Sequence, residues 1–250
     1  MISVCMATYN GQKYIKEQID SILCQLGNND ELVISDDNSS DNTVDIIHSY
    51  NDKRIKFFYN SLQKGVTHNF ENALQKSKGD IIFLADQDDV WLPGKLEKMT
   101  RYMTEGNYDV VECSCSLTDE KLNIIKQNYY SKKFPQIKSV WGNFVKNSWL
   151  GCCMAFKRYV FEAASPFPDR ASSHDLWLCL FMQLHYKCGY MSEPMQLYRR
   201  HSKTVSFAGG KSTNSLWFRL STRAYIAWHL IIRSIKHRLR LREQLNKDAN

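Results

Sequence analysis

The sequence predicts an α/β fold, parallel at its start and mixed further on, and three observations predict it. Strand-type apolar runs alternate with helix-period segments from the first residues onward. The first, second and fourth of these strand runs empty into polar or acidic residues, as strands do at the ligand-binding edge of an open sheet. No repeat or low-complexity linker breaks the rhythm before about Gly210, after which the chain turns basic.

Taken in order, Ile2 to Ala7 is an apolar run rich in strand formers, stopped by Asn10-Gly11. From Lys13 to Leu26, Ile15, Ile19, Ile22, Leu23 and Leu26 recur at spacings of three and four, which places them on one helical face that ends at Gly27-Asn28-Asn29-Asp30. Glu31 to Ser35 is a second strand, Asp41 the cap of a helix through Ile46 and Ile47, and Ile55 to Tyr59 a third strand. Thr67 to Lys76 is helical, closed by Gly79, and Ile81 to Ala85 is a fourth strand that runs into Asp86-Gln87-Asp88-Asp89. Pro93 opens a helix to about Met103. Beyond Tyr108 to Cys113 the period weakens. Short apolar runs at Cys153 to Phe156 and Tyr186 to Met191 flank a helix from Asp175 to about His185, and partly antiparallel strands are expected there. Residues 1–210 then form one domain and residues 211–250 a basic helical tail, joined by a loop at Phe207 to Ser212.

With 43% hydrophobic and 24% charged side chains over 250 residues, the chain can bury a core, which excludes a disordered or fibrous protein. No run approaches the ~18 apolar residues of a membrane span; the longest, Ile226 to Ile232, contains His229. The start, Met1 to Thr8, lacks the basic segment and cleavage site of a secretory signal. Cys113-x-Cys115 and Cys152-Cys153 lack the spacing of zinc or thioredoxin motifs and read as buried thiols. A cytoplasmic protein is expected. The net charge of +7 belongs to the tail, because residues 216–250 carry +6 and residues 1–215 only +1.

Three clusters follow strand ends: Thr8-Tyr9-Asn10, Asp36 to Asp41, and Asp86-Gln87-Asp88-Asp89. Three carboxylates in four residues after a buried strand repel one another unless a cation sits among them, and hard oxygen donors select Mn²⁺ or Mg²⁺. Asp41 reads equally as a plain helix cap.

In these stretches the chain resembles the family 2 inverting glycosyltransferases, whose A-type nucleotide-sugar fold has a Rossmann-like central sheet. The matching blocks are Val4 to Gly11, Glu31 to Asp41 and Gly79 to Trp91, with weaker matches at Ser173-His174-Asp175-Leu176-Trp177 and Leu197 to His201; together they span about residues 1–205. The likeness extends to bacterial polysaccharide enzymes, rhamnosyl- and galactosyltransferases among them. It implies that Thr8, Tyr9, Asn10, Asp36 and Asp37 cradle the nucleotide, with Asp36 accepting the imide N–H of uracil or thymine. Asp86 faces the ribose or metal, Asp88 ligates the metal, Asp89 orients the site, and His201 is a further metal ligand in a loop with Arg199 and Arg200 that closes over the diphosphate. The general base falls on Asp175, in a His-Asp pair where many members have Glu-Asp; His174 tunes it or touches substrate. Helix capping is the ordinary alternative for Asp175. His68-Asn69 reads as a polar pair near the nucleotide or as a solvated helix start. Trp141, Trp149, Trp177 and Trp217 are candidates for an acceptor floor or for core, Trp177 from its place beside Asp175.

The implied reaction moves a sugar from a UDP- or dTDP-sugar to a saccharide acceptor, one that is lipid-linked. The rivals are a nucleotidyltransferase, whose Gly-rich basic phosphate loop Thr8 to Gln12 does not supply, and a non-catalytic nucleotide-sugar-binding module, which has no use for Asp175. Nucleic acid is not an expected partner, since the basic tail lacks a recognised fold. With its apolar and aromatic residues, that tail suits the anionic inner surface of the cell membrane, or a packed helix with a solvated basic rim.

Overall fold

The computed structural model describes residues 1–132, 135–171, 173–201 and 216–248. The first half alternates strand and helix: β1 (Ile2–Thr8), α1 (Ile15–Leu23), β2 (Glu31–Asp36), α2 (Thr43–His48), β3 (Ile55–Tyr59), α3 (Val66–Lys76), β4 (Ile81–Asp86), β5 (Val90–Trp91) and α4 (Lys95–Glu105). There follow β6 (Val110–Thr118), β7 (Ile124–Lys126), α5 (Val140–Val145), a 3₁₀ turn at Gly151–Cys153, β8 (Met154–Lys157), α6 (Arg158–Ala164), α7 (His174–His185), β9 (Cys188–Arg199) and α8 (Leu216–Asp248).

These strands form one sheet in the order β3-β2-β1-β4-β8-β6-β9-β5, with β7 paired to β6. β1 lies parallel to β2 and β4, and β2 parallel to β3. β8 is antiparallel to β4 and β6, β9 parallel to β6, and β5 antiparallel to β9. The parallel start and mixed continuation read from the sequence are both present. Along β1, Val4 and Met6 face the core under α1, α2 and α4, while Cys5 and Ala7 face the core under α3 and α7, so both faces of the sheet are covered.

Several local expectations are adjusted. The first helix is shorter than Lys13 to Leu26, because Gly11 accepts the Tyr14 and Ile15 N–H groups as a turn and Cys24 already caps the far end. Asp41 stands one residue ahead of the cap Asn42 and receives the Thr43 N–H at 3.0 Å. Helix α3 ends at Ser77 rather than Gly79. Gly79 instead lies against the start of β1: a Cβ there would stand 2.5 Å from the Ser3 nitrogen and 2.7 Å from the Ile2 carbonyl carbon. Backbone cannot yield as a flexible side chain does, so Gly79→Ala is expected to destabilise the fold by about 1–3 kcal/mol. Thermal unfolding checks this; an unchanged midpoint would mean that the β1 and β4 ends separate freely.

Of the eight cysteines, six are buried, Cys24 is exposed and Cys188 half-buried. The expected loop at Phe207 to Ser212 and the domain boundary near Gly210 lie outside the described residues. The tail beyond is one 33-residue helix, and its Ile226 and Leu230 join the core formed by α3, α6 and α7. No helix among the described residues is long and apolar enough to cross a membrane.

Candidate active site

Sheet register brings the three polar clusters together. Thr8 is opposite Asp36 and Ala7 opposite Asp86, so the ends of β1, β2 and β4 lie side by side on one edge. There the Thr8 hydroxyl donates to Asp36 Oδ2 at 2.8 Å, and the Ser39 N–H and hydroxyl donate to Asp36 Oδ1 and Oδ2 at 2.7 and 2.6 Å. Asp36 is fully buried and organises its own loop, which leaves the carboxylate little capacity for a base imide. Asp37 accepts the Asn60 amide at 2.8 Å and the Gly65 N–H at 2.9 Å, tying in the loop before α3. Tyr9 is exposed, and the Gln87 amide grips its backbone through two 3.0 Å bonds. Asn10 holds φ 48°, a left-handed conformation that Asn tolerates; its N–H donates to Ser39 Oγ and its Oδ1 accepts the Ser40 N–H, both at 2.8 Å. Gly11 continues the seam, donating to Thr43 Oγ1 at 2.7 Å; a Cβ there would stand 2.2 Å from Gln87 Oε1.

The acidic run divides by direction. Asp88 meets His201, Oδ2 to Nε2, at 2.8 Å, although 113 residues separate them. Asp86 is held through its carbonyl by Gln18 Nε2 at 2.7 Å, and its carboxyl is pushed up to about 7 by burial first, then by the charge of Asp88, with Asp175 adding to the rise. Asp89 turns inward: Gln196 Nε2 donates to it at 2.9 Å and the Arg199 N–H at 3.0 Å, and burial, then Asp88 and Asp86, drives its carboxyl well above the usual range. Its expected place toward substrate is therefore corrected to a buried brace between β4 and β9.

Arg199 is corrected likewise. Its guanidinium lies beneath the surface, donating to the Asp88 carbonyl at 2.8 Å, to the Glu120 carbonyl at 2.6 Å and to the Glu17 carboxylate, and it stacks on Tyr14 at 4.6 Å. Those donors are engaged with protein rather than with a diphosphate. Arg200 is half-buried and donates its backbone N–H to Thr118 at 2.9 Å. His201 packs on Tyr14 as well, with ring centroids 4.9 Å apart, so one tyrosine seats both ends of this strand terminus.

Helix α7 presents Asp175 in its first turn. Ser173 caps the helix through the Leu176 N–H at 3.4 Å, and Asp175 Oδ1 accepts the same N–H at 2.8 Å. The other oxygen, Oδ2, has no partner among the described residues, and the side chain is half-buried. Its charge is among those that raise the Asp86 carboxyl. His174, 7% exposed, lies behind it against Phe70 at 4.0 Å between ring centroids. Neither ring nitrogen is hydrogen-bonded, and burial lowers the imidazole pKa against the opposing charge of Asp175. It is a neutral wall of the site, and its expected contact with substrate is corrected to packing. Trp177 is buried core, donating Nε1–H to the Ala164 carbonyl at 3.1 Å, so it cannot floor an acceptor. Trp149 is buried too, whereas Trp141 and Trp217 are exposed. His68 and Asn69 are buried rather than solvated; Asn69 Nδ2 donates to the Thr8 carbonyl at 3.0 Å.

Sequence reasoning missed Gln18, Tyr14, Gln87 and the fully buried Lys95, whose ammonium donates to the Cys152 carbonyl at 2.8 Å and to Gln196 Oε1. Only Gln87, inside the acidic run, carried a local signal.

Two donor sets lie at this edge. Asp88 and His201 offer a hard oxygen and an imidazole nitrogen already converged, which fits Mn²⁺ or Mg²⁺, the former accepting imidazole more readily. Asp86, Asp89 and Cys152 have ligand atoms within 4.8 Å of one another, but the thiol is soft and Asp89 is engaged with Gln196 and Arg199, so this set fits such an ion poorly.

Fold and edge together define a glycosyltransferase of A-type architecture. Residues 3–164 match glycosyl transferase family 2, and the chain belongs to that family. It is 30% identical over 224 residues to the Escherichia coli UDP-Glc:alpha-D-GlcNAc-diphosphoundecaprenol beta-1,3-glucosyltransferase WfgD, covering 87% of this chain and 84% of the relative. The fold superposes on S. aureus TarS 1-349 in complex with UDP-GlcNAc with a TM-score of 0.69 at 18% identity, covering 90% of this chain and 66% of that one. The mannosyltransferase PcManGT from Pyrobaculum calidifontis, in complex with GDP-Man and Mn2+, gives a TM-score of 0.60 at 17% identity over 94% of this chain and 73% of that one.

Proposed function

We propose that the protein is an inverting, metal-dependent hexosyltransferase that moves a sugar from a UDP- or dTDP-sugar to a saccharide carried on a lipid diphosphate, in bacterial surface polysaccharide synthesis. The observation that carries this reading is the meeting of Asp88 with His201 at the same strand edge whose Asp86 feels the charge of Asp175. This supports reading the edge as a seat for a diphosphate leaving group, with Asp175 of α7 as the base. The TarS complex with UDP-GlcNAc and the UDP-Glc in the name of WfgD favour uridine among the two nucleotides, and the diphosphoundecaprenol of WfgD favours a lipid-linked acceptor. Work on the cytoplasmic side, at the inner membrane surface, follows from such an acceptor.

In this mechanism Tyr9 offers its exposed ring to the base, while Asp36 and Asp37 hold the loops around it. Asp86 would face the ribose or the metal. Asp88 and His201 would hold Mn²⁺ or Mg²⁺, which when bound supplies positive charge to the departing diphosphate. Asp175 Oδ2 takes the proton of the acceptor hydroxyl as that oxygen attacks the anomeric carbon, and a single displacement inverts its configuration. His174, kept neutral by burial, walls Asp175 from behind.

The test is a panel of UDP- and dTDP-sugars with Mn²⁺, reading nucleoside diphosphate release and the anomeric configuration of the product by NMR. Release from one donor with an inverted product is expected; retention of configuration would sink the single-displacement scheme, and no release from any donor the transfer reading.

A further inference from the structure

Helix α8 carries two apolar stripes half a turn apart. Ile226 and Leu230, at 0% and 8% exposure, pack inward on α6 and α7. On that side the Arg233 guanidinium also donates to the Ser165 carbonyl and, at 2.8 Å, to that of Pro166. Trp217, Leu220, Trp228, Ile231, Ile235 and Leu239 are all exposed, with Trp217 at 79% and Trp228 at 63%. With exposed Ala224 they recur at spacings of three and four, which at about 100° per residue centres them opposite Ile226. The outward stripe is thus not the unused edge of the packed one.

Helix α5 lies along the packed flank of α8, on the side of Leu230. Its Trp141 is 74% exposed and stacks on Phe144 at 5.7 Å, and the Phe144 ring lies 5.8 Å from the guanidinium of Arg223 on α8. Exposed Lys236, Arg238, Arg240 and Arg242 follow along the second half of α8. Isolated apolar residues on a surface are ordinary; a continuous stripe with tryptophans and a basic border is not.

We propose that the outward stripe of α8 is a face that docks on an anionic lipid bilayer. Indole rings settle at the headgroup level, the aliphatic residues reach the acyl boundary, and the arginines meet the lipid phosphates. Charge selects this occupant over a second copy of the chain, because a symmetric pair would bring together two tails of net +6, whereas an anionic surface neutralises them. The proposal deepens the lipid-linked acceptor reading and rests on it for its purpose alone.

Flotation of the full-length protein tests it, with vesicles of phosphatidylcholine alone and of phosphatidylcholine mixed with phosphatidylglycerol. Binding to the anionic vesicles at low salt is expected, with release by high salt. Trp228→Ser/Ile231→Ser/Ile235→Ser and, separately, Arg238→Gln/Arg242→Gln should each lower the partition coefficient by about tenfold or more. Both sets are exposed, so circular dichroism should report an unchanged fold, and diphosphate release with a water-soluble acceptor should persist. Full-length protein that stays with the buffer at low salt overturns the proposal. So does a dimer in sedimentation that the serine variant dissolves while wild type ignores vesicles. Vesicle binding by a protein that releases no nucleotide from any donor would instead strike the transferase reading and leave this face intact.

Discussion

Replacing Asp175 with Asn is expected to leave donor binding unchanged and to lower turnover by about two orders of magnitude or more, the usual size of a lost general base. The amide keeps the shape of the side chain and its Oδ1 can still accept the Leu176 N–H, so the cap at the start of α7 survives. What disappears is the carboxylate's capacity to take a proton. A cap-only role would show in thermal stability, with turnover falling merely in step with the folded fraction. Near-normal turnover would therefore return Asp175 to helix capping. His174 is a poor replacement, since both of its nitrogens are enclosed against Phe70 and Gly151.

Asp88→Ala is expected to abolish transfer and to remove the Mn²⁺-dependent part of UDP affinity. Asp88 is the carboxylate of the acidic run that turns toward His201, whereas Asp89 is spent inside the fold. Deleting it leaves the imidazole alone as a ligand and removes the negative charge that most affects Asp86 after burial. Calorimetry of UDP binding with Mn²⁺ and with chelator is the direct measurement: wild type should differ between the two conditions and Asp88→Ala should not. Equal affinity in both for wild type would end the metal assignment. Asp89→Asn makes a control of opposite kind, since loss there should appear as instability of the β4–β9 brace.

The parallel half of the sheet was legible because its signals are local. β1, β2, β4 and the helices between them each announce themselves by period and by turn residues. β9 was read only from Tyr186 to Met191 because Ser192-Glu193-Pro194 reads as a turn; in the sheet Pro194 sits opposite Ser114, where the pairing with β6 shifts register and a missing N–H is tolerated. β5 is two residues long and α5 six, too short to show a period. In the site, the strand-end clusters could be found from sequence, but not which of three neighbouring carboxylates is turned into the fold. That depends on Gln196 and Arg199, more than a hundred residues away. Of the two readings of Trp177, the core one had a readable sign: Leu176 to Met182 is apolar on every side, the mark of a helix buried all round, and a tryptophan in it belongs to the interior.

The seam between the first two loops has a thermodynamic consequence. Asn10, Gly11 and Gln12 are joined to Ser39, Ser40, Asp41, Asn42 and Thr43 by hydrogen bonds that need no ligand. Gln87 clamps the same backbone from the third side. The conformational freedom of these loops is thus surrendered when the chain folds. A rim of this kind behaves as a preformed mould: a group that docks against it has little ordering left to impose.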